Sequence, residues 1–325
     1  MPSSIIQWYP GHMAKAKRQM EENLKKVDFI IEIRDARMPS ASKNPLIDEL
    51  AQNKPRLVIL SKKDKADPKL TETWLADLTS DESSALAIDL IKENFKNKIV
   101  SESLKLNASL IEKQKKRGIR PRALRAMVVG IPNVGKSTFI NSLAKRKAAM
   151  TGDKPGVTKS LQWIKVGKEL EVLDTPGVLW PKLEDQTDAL TLAALGSIKD
   201  DIVHMDDLAL YCCDYLSKYH PEVLLQTYGI EALGETPWET LQAIARKRGW
   251  LQRGDIDENR TMRSFIQDIR AGKLGRITWQ LPPSLQSLIQ DDQKETGQEE
   301  QASVEEKIVD LVEAAVAVDE SANLD

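Results

Sequence analysis

Gly130-Ile131-Pro132-Asn133-Val134-Gly135-Lys136-Ser137 lies between the apolar run Arg125-Ala126-Met127-Val128-Val129 and a helical pattern from Lys136 to about Lys145. The spacing G-x-x-x-x-G-K-S, after a strand and before a helix, is the context in which backbone N–H groups wrap phosphate oxygens. Asn133, Val134, Gly135, Lys136, Ser137 and Thr138 are therefore candidate phosphate ligands. The Lys136 ammonium would bridge β- and γ-phosphates, and the Ser137 hydroxyl would ligate Mg²⁺. A glycine turn that only caps a helix is the competing reading, and the flanking strand and helix argue against it.

Working outward, Asp174-Thr175-Pro176-Gly177 closes the apolar run Leu170–Leu173, 44 residues after Gly130. At that place an Asp holds Mg²⁺ through water, and the Gly offers its N–H to the γ-phosphate. Pro155-Gly156-Val157-Thr158, between the two motifs, falls where a mobile first switch belongs, and Thr158 is the candidate for a second hydroxyl on Mg²⁺. Upstream, Ser61-Lys62-Lys63-Asp64 ends the run Arg56–Leu60 and resembles the guanine-reading Asn/Thr-Lys-x-Asp motif of GTPases. Asp64 would accept from guanine N1 and N2 while the Lys62 stem lies on the ring. Adenine lacks that donor pair, so the carboxylate would choose the base. Ser61 departs from Asn or Thr but keeps a hydroxyl. A plain surface turn rich in Lys and Asp is the alternative.

In ordinary GTPases the base motif follows the phosphate loop; here Asp64 precedes Gly130. The chain thus resembles the circularly permuted GTPases. Trp8-Tyr9-Pro10-Gly11-His12-Met13-Ala14-Lys15-Ala16 and Asp35-Ala36-Arg37-Met38-Pro39 make it similar to the YlqF subfamily over about residues 1–280. The resemblance implies GTP and GDP as ligands and a switch role late in assembly of the large (50S) ribosomal subunit, with its rRNA and ribosomal proteins as partners. It also implies a C-terminal helical domain similar to ANTAR-type RNA-binding domains. Val178 occupies the place of the water-orienting Gln of Ras-like enzymes, and the subfamily is thought to use an N-terminal His, which matches His12. An imidazole can polarise water, although His12 could instead cap its helix or pack on Trp8. Asn133 sits where potassium-activated GTPases bind K⁺, whose charge could assist as an arginine finger does.

The fold expected is α/β: a P-loop GTPase domain of permuted motif order over 1–180, an all-helical domain over 181–283, and an acidic tail over 284–325. Strand-like runs alternate with helical patterns to about Leu90, a single helix is expected over 97–117, and helical segments follow from Asp188 onward. A content of 41% hydrophobic and 30% charged residues suits a soluble globular chain and names no function. No apolar run approaches the roughly 18 residues of a membrane span, and no secretory signal opens the chain. A cytoplasmic monomer is expected, with adjacent Cys212 and Cys213 as buried free thiols.

Residues 291–325 carry −10, which leaves +8 on residues 1–290 of a chain whose net charge is −2. A basic body suits a polyanion such as rRNA. Arg263, Arg270 and Lys273 are the candidate contacts, Arg263 and Arg270 lying seven apart on one helix face, with Trp250 and Trp279 as stacking surfaces. Scattered surface charge is the bland reading. Two readings from other classes stay open: a GTP-dependent protein-binding switch with no RNA role, and a P-loop ATPase.

Overall fold

The computed structural model describes residues 2–51, 54–119, 122–144 and 161–288. Helix α1 (Gly11–Leu24) buries Met13, Ala16 and Met20, a stripe at i, i+3 and i+7. Strand β1 (Phe29–Asp35) is buried at every position, as a parallel strand covered on both faces must be. Then come α2 (Pro45–Ala51), β2 (Arg56–Ser61), α3 (Pro68–Leu78) and β3 (Ser83–Ile88). Helix α3 starts where sequence chemistry says it should: the Asp67 carboxylate accepts from the Leu70 N–H at 2.8 Å, and Pro68 stands first in the helix.

The bridge is two helices, α4 (Lys96–Leu106) and α5 (Ala108–Lys116), and not the single helix expected over 97–117. Asn107 makes the break. Its φ of −104° and ψ of 19° leave the helical region, and its side-chain amide donates to the Ser103 carbonyl at 2.9 Å. Strand β4 (Leu124–Val129), helix α6 (Lys136–Ala144), and the antiparallel hairpin of β5 (Gln162–Val166) and β6 (Leu170–Asp174) complete the sheet. Thr158 lies outside the described residues.

The sheet order is β3-β2-β1-β4-β6-β5, parallel except for β5. Winding goes one way from β1 to β3 and the other way from β4 to β6. The order therefore reverses between β1 and β4, and the crevice beyond their C-terminal ends is where such a sheet takes a ligand. The permutation places that seam between the two halves of the chain, with Phe29 in register with Ala126.

Beyond Gly177 the structure is helical, as expected: α7 (Gln186–Ala194), α8 (Met205–Tyr219), α9 (Pro221–Tyr228), α10 (Pro237–Arg248) and α11 (Glu258–Ala271). A capping box of Thr236 and Glu239 starts α10. A short hairpin of β7 (Leu251–Gln252) and β8 (Asp255–Ile256) joins α10 to α11 and was not foreseen. Helix α8 is the hub and buries Leu208, Ala209, Cys212, Cys213 and Leu216, both cysteines being free. Against it α11 buries Phe265, Ile266 and Ile269, each contributing about 1.5–3 kcal/mol of apolar transfer. No helix among the described residues is long and apolar enough to cross a membrane.

After α11 the chain returns to the sheet as a strap. The Ile277 N–H donates to the Lys65 carbonyl at 3.0 Å, and the Trp279 N–H donates to the Arg37 carbonyl at 2.7 Å. Trp74 Nε1 donates to the Gln280 carbonyl at 3.2 Å. Trp250 and Trp279, expected as stacking surfaces for RNA, are instead buried at 9% and 5% exposure. Trp279 stacks on Tyr215, with ring centroids 4.6 Å apart.

Candidate functional site

The loop after β4 turns sharply. Gly130 has φ 149°, and a Cβ there would collide with the Ile33 carbonyl of β1, so the close strand-to-loop approach admits only glycine. Asn133 follows with φ 61°, in the left-handed region. Lys136, 6% exposed at the start of α6, folds its ammonium back onto the loop and donates to the carbonyls of Gly130 at 2.9 Å and Ile131 at 2.6 Å. Burial pushes its pKa down to about 8, against the opposing pull of Asp174. Val134, Gly135, Ser137 and Thr138 lie along the same loop and the first turn of α6.

Asp174 ends β6, the neighbour of β4, so the sheet itself brings it to the phosphate loop. Burial raises its pKa to about 6, partly offset by Lys136 and by the Thr175 N–H. Its Oδ1 is buried with no hydrogen-bond partner among the described residues, an arrangement that costs free energy unless a cation or its water fills the gap. Thr175 anchors the turn by donating its hydroxyl to the Val128 carbonyl at 2.6 Å. At Gly177 a Cβ would lie 2.9 Å from both Lys136 Nζ and the Pro132 backbone, so this segment passes over the loop with no room for a side chain.

The base motif arrives from the other half. Ser61, the last residue of β2, donates its hydroxyl to the Arg34 carbonyl at 2.9 Å and the Val134 carbonyl at 2.6 Å. Lys62 Nζ donates to the Asn133 carbonyl at 2.9 Å and to Asp35 Oδ2 at 2.8 Å. Residues 61–62 are thus stitched directly to residues 133–134. Asp64 sits half-buried in the 3₁₀ turn Lys63–Lys65 that follows.

Asp35 and Arg37, marked in the sequence only as part of the motif Asp35-Ala36-Arg37-Met38-Pro39, also belong to the site. Both are buried, and Arg37 grips Asp35 through Nε at 3.0 Å and Nη2 at 2.8 Å. Burial pushes the Asp35 carboxyl up, but the Arg37 and Lys62 cations beside it prevail and hold it well below the usual carboxylate range. The anion in turn fixes Lys62, whose own pKa burial lowers against the pull of Asp35. An Asp-x-Arg pair at a strand end was the available signal.

His12 is exposed on the first turn of α1, and its imidazole makes no hydrogen bond among the described residues. The Trp8 ring carries the Lys199 ammonium at 5.9 Å. The next residue, Met13, accepts from the Leu179 N–H at 3.4 Å, so this turn lies against the segment that follows Gly177. Val178 is buried and its carbonyl accepts from Asn44 Nδ2 at 2.6 Å. The side chain cannot reach water.

One helical-domain expectation changes. Arg270 does not face solvent for a polyanion. It donates to the carbonyls of Ala193 at 2.8 Å and Ala194 at 3.1 Å and pairs with Asp200 at 2.7 Å, because the end of α7 packs over it. Arg263 and Lys273 are exposed, bonded to Asn259 at 2.7 Å and Asp268 at 2.7 Å. The α7 end also meets the phosphate loop, where Asn133 Nδ2 donates to the Gly196 carbonyl at 2.7 Å.

Comparison with known proteins agrees with this arrangement. Residues 125–239 match the family described as 50S ribosome-binding GTPase. Ribosome biogenesis GTPase A of Priestia megaterium is 49% identical over 279 residues, 85% of this chain and 97% of that one. The Bacillus cereus protein of the same name is 46% identical over 291 residues, 89% and 98% of the two chains. The solved structure of GNP-bound YlqF from T. maritima superposes with a TM-score of 0.57 at 27% identity, covering 83% of this chain and 99% of that one.

Proposed function

Because this chain belongs to the family of ribosome biogenesis GTPase A, we propose that it binds the precursor of the large (50S) ribosomal subunit and hydrolyses GTP as a switch late in that subunit's assembly. The observation that supports this most is the seam: Ser61 and Lys62, at the head of a guanine-type motif, bond to the carbonyls of Val134 and Asn133 in a phosphate loop. One crevice at the strand ends then offers a base reader and a phosphate cradle.

Asp64 accepts from guanine N1 and N2, and Lys62, held by Asp35, lies along the ring. The N–H groups of residues 133–138 hold the phosphates. Lys136 leaves the loop carbonyls for the β- and γ-oxygens, where its charge balances what builds up on the β–γ bridging oxygen as that bond breaks. His12 orients and polarises the water that attacks the γ-phosphorus, giving GDP and inorganic phosphate, and Gly177 donates its N–H to a γ-oxygen. Asp174, whose Oδ1 has no partner among the described residues, would hold Mg²⁺ together with Ser137 and Thr158, and the ion would supply charge neutralisation on the phosphates. Asn133 is the residue of this chain that would hold K⁺.

Contact with rRNA is assigned to Arg263 and Lys273, joined by the exposed Arg246, Lys247, Arg260 and Arg276. Such contact weakens with salt, log K falling by about 0.7–0.9 per phosphate neutralised. The sensed signal is loss of the γ-phosphate, which frees the segment after Gly177 and with it the helical domain.

The test is phosphate release from GTP and ATP, with and without large subunits. Turnover of GTP alone, raised by subunits, is expected. His12→Ala should lower the stimulated rate by about 10²-fold while leaving nucleotide affinity near wild type. Equal turnover of ATP, or an unchanged His12→Ala rate, would contradict the assignment.

A further inference from the structure

Helices α7 and α8 and the strap enclose a surface cavity of about 270 Å³ that has no part in the nucleotide crevice. Tyr211, Tyr215, Tyr219 and Trp279 line it, with the carboxylates of Asp188 and Asp214. Tyr215 and Trp279 stack at 4.6 Å, and Tyr219 leans away from Tyr215 at 48°, with ring centroids 4.8 Å apart, so the rings form a corner.

The charges in this corner are uneven. Asp214 has a cation, the Lys218 ammonium at 3.4 Å one helical turn on. Asp188 has none among the described residues: its Oδ1 accepts from Gln280 Nε2 at 2.7 Å, and Gln280 is itself fixed because its Oε1 accepts from the Ala41 N–H at 2.8 Å. Burial, with the neighbouring Asp185 charge, raises the Asp188 pKa to about 6. A carboxylate kept beside aromatic faces without a counter-ion is costly, and a cation over those faces would relieve it.

We infer that this cavity binds the guanidinium of an arginine side chain presented by a basic protein segment. Arginine fits better than lysine because its flat, weakly hydrated head can lie on a tyrosine ring while it donates in a fork to a carboxylate. RNA fits worse: a base could stack in the corner, but Asp185, Asp188 and Asp214 outnumber Lys218 and repel its phosphates. That the segment belongs to a protein of the ribosomal particle rests on the function proposed above. The chemistry of the cavity does not.

The experiment uses the full chain and three fluorescein-labelled probes at moderate salt: the hexapeptide Gly-Arg-Gly-Arg-Gly-Gly, the same peptide with citrulline for arginine, and hexauridylate. Residues 291–325 attract any cation, so the readout is the difference between the wild type and Asp188→Asn, which keeps both the tail and the acceptor for Gln280. The arginine peptide should bind the wild type at least about tenfold more tightly than the citrulline peptide. Asp188→Asn and, separately, Tyr219→Ala should each lose about tenfold with GTP affinity unchanged. Equal binding by the wild type and both variants, or hexauridylate displacing the peptide from the wild type only, overturns the inference. The arginine peptide should also release the wild type from large subunits where the citrulline peptide does not. Binding without release overturns the assigned source. If the wild type never sediments with subunits, the functional proposal fails, and the peptide titration still decides the cavity.

Discussion

The two sides of the nucleotide crevice are held in different ways. The phosphate side is held mainly by the sheet: Lys136 bonds to carbonyls five and six residues back, Gly130 presses on β1, Thr175 ties its turn to β4, and one bond, from Asn133 to the Gly196 carbonyl, reaches the helical domain. The base side leans on distant chain. The Asp67 N–H donates to the Thr278 hydroxyl at 3.0 Å, the Lys65 carbonyl accepts from Ile277, and Lys65 Nζ reaches the Arg270 carbonyl at 3.2 Å. Phosphate contacts therefore depend mostly on the sheet, with a single bond to the end of α7. Base contacts depend on the helical domain being docked, which makes guanine affinity a report on that docking.

The largest effect that could break this comparison lies at the base. Asp64→Asn should reduce GTP affinity by roughly 10³–10⁴-fold and shift preference to xanthosine triphosphate, because the amide then faces a base carbonyl. Competition against a fluorescent guanine nucleotide measures it. Unchanged GTP affinity would leave the upstream turn without its role.

On the phosphate side the expected change is one of stability. The Asp174 pKa is raised to about 6, so the folded protein favours the protonated form. Stability from this group is complete below the unfolded carboxylate range and is lost as pH rises through about 6. Asp174→Asn mimics the neutral form and should stabilise the nucleotide-free protein by about 3 kcal/mol above pH 7. The gain should fade toward pH 4, and use of Mg²⁺ should be lost. Urea titrations across pH check this, and a destabilised variant at pH 8 would show that Asp174 is already satisfied without a cation.

The smallest effect sharpens the contrast most. Thr278→Val removes one hydrogen bond to the base turn, worth about 1 kcal/mol, and should weaken GTP about fivefold while leaving pyrophosphate binding unchanged. Equal loss for both ligands would mean that the strap supports the whole crevice alike.

What was legible in the sequence divides along the same line. The strands, the phosphate loop and the turn at Asp174 announce themselves locally, since apolar runs end in residues whose chemistry needs a strand end. The strap does not, because pairing Thr278 with Asp67 across more than two hundred residues leaves no periodic signal. Arg270 and Trp279 read as surface groups because the bodies that cover them, α7 and Tyr215, come from elsewhere in the chain. The Asn107 break was missed because one amide interrupts an otherwise continuous helical pattern.

That nucleotide state governs attachment to the large subunit is tested most directly by co-sedimentation of the full chain with purified large subunits at moderate salt, comparing a non-hydrolysable GTP analogue with GDP. Binding with the analogue, release with GDP, and a steep fall with added salt are expected. Equal sedimentation in both nucleotide states would contradict the switch.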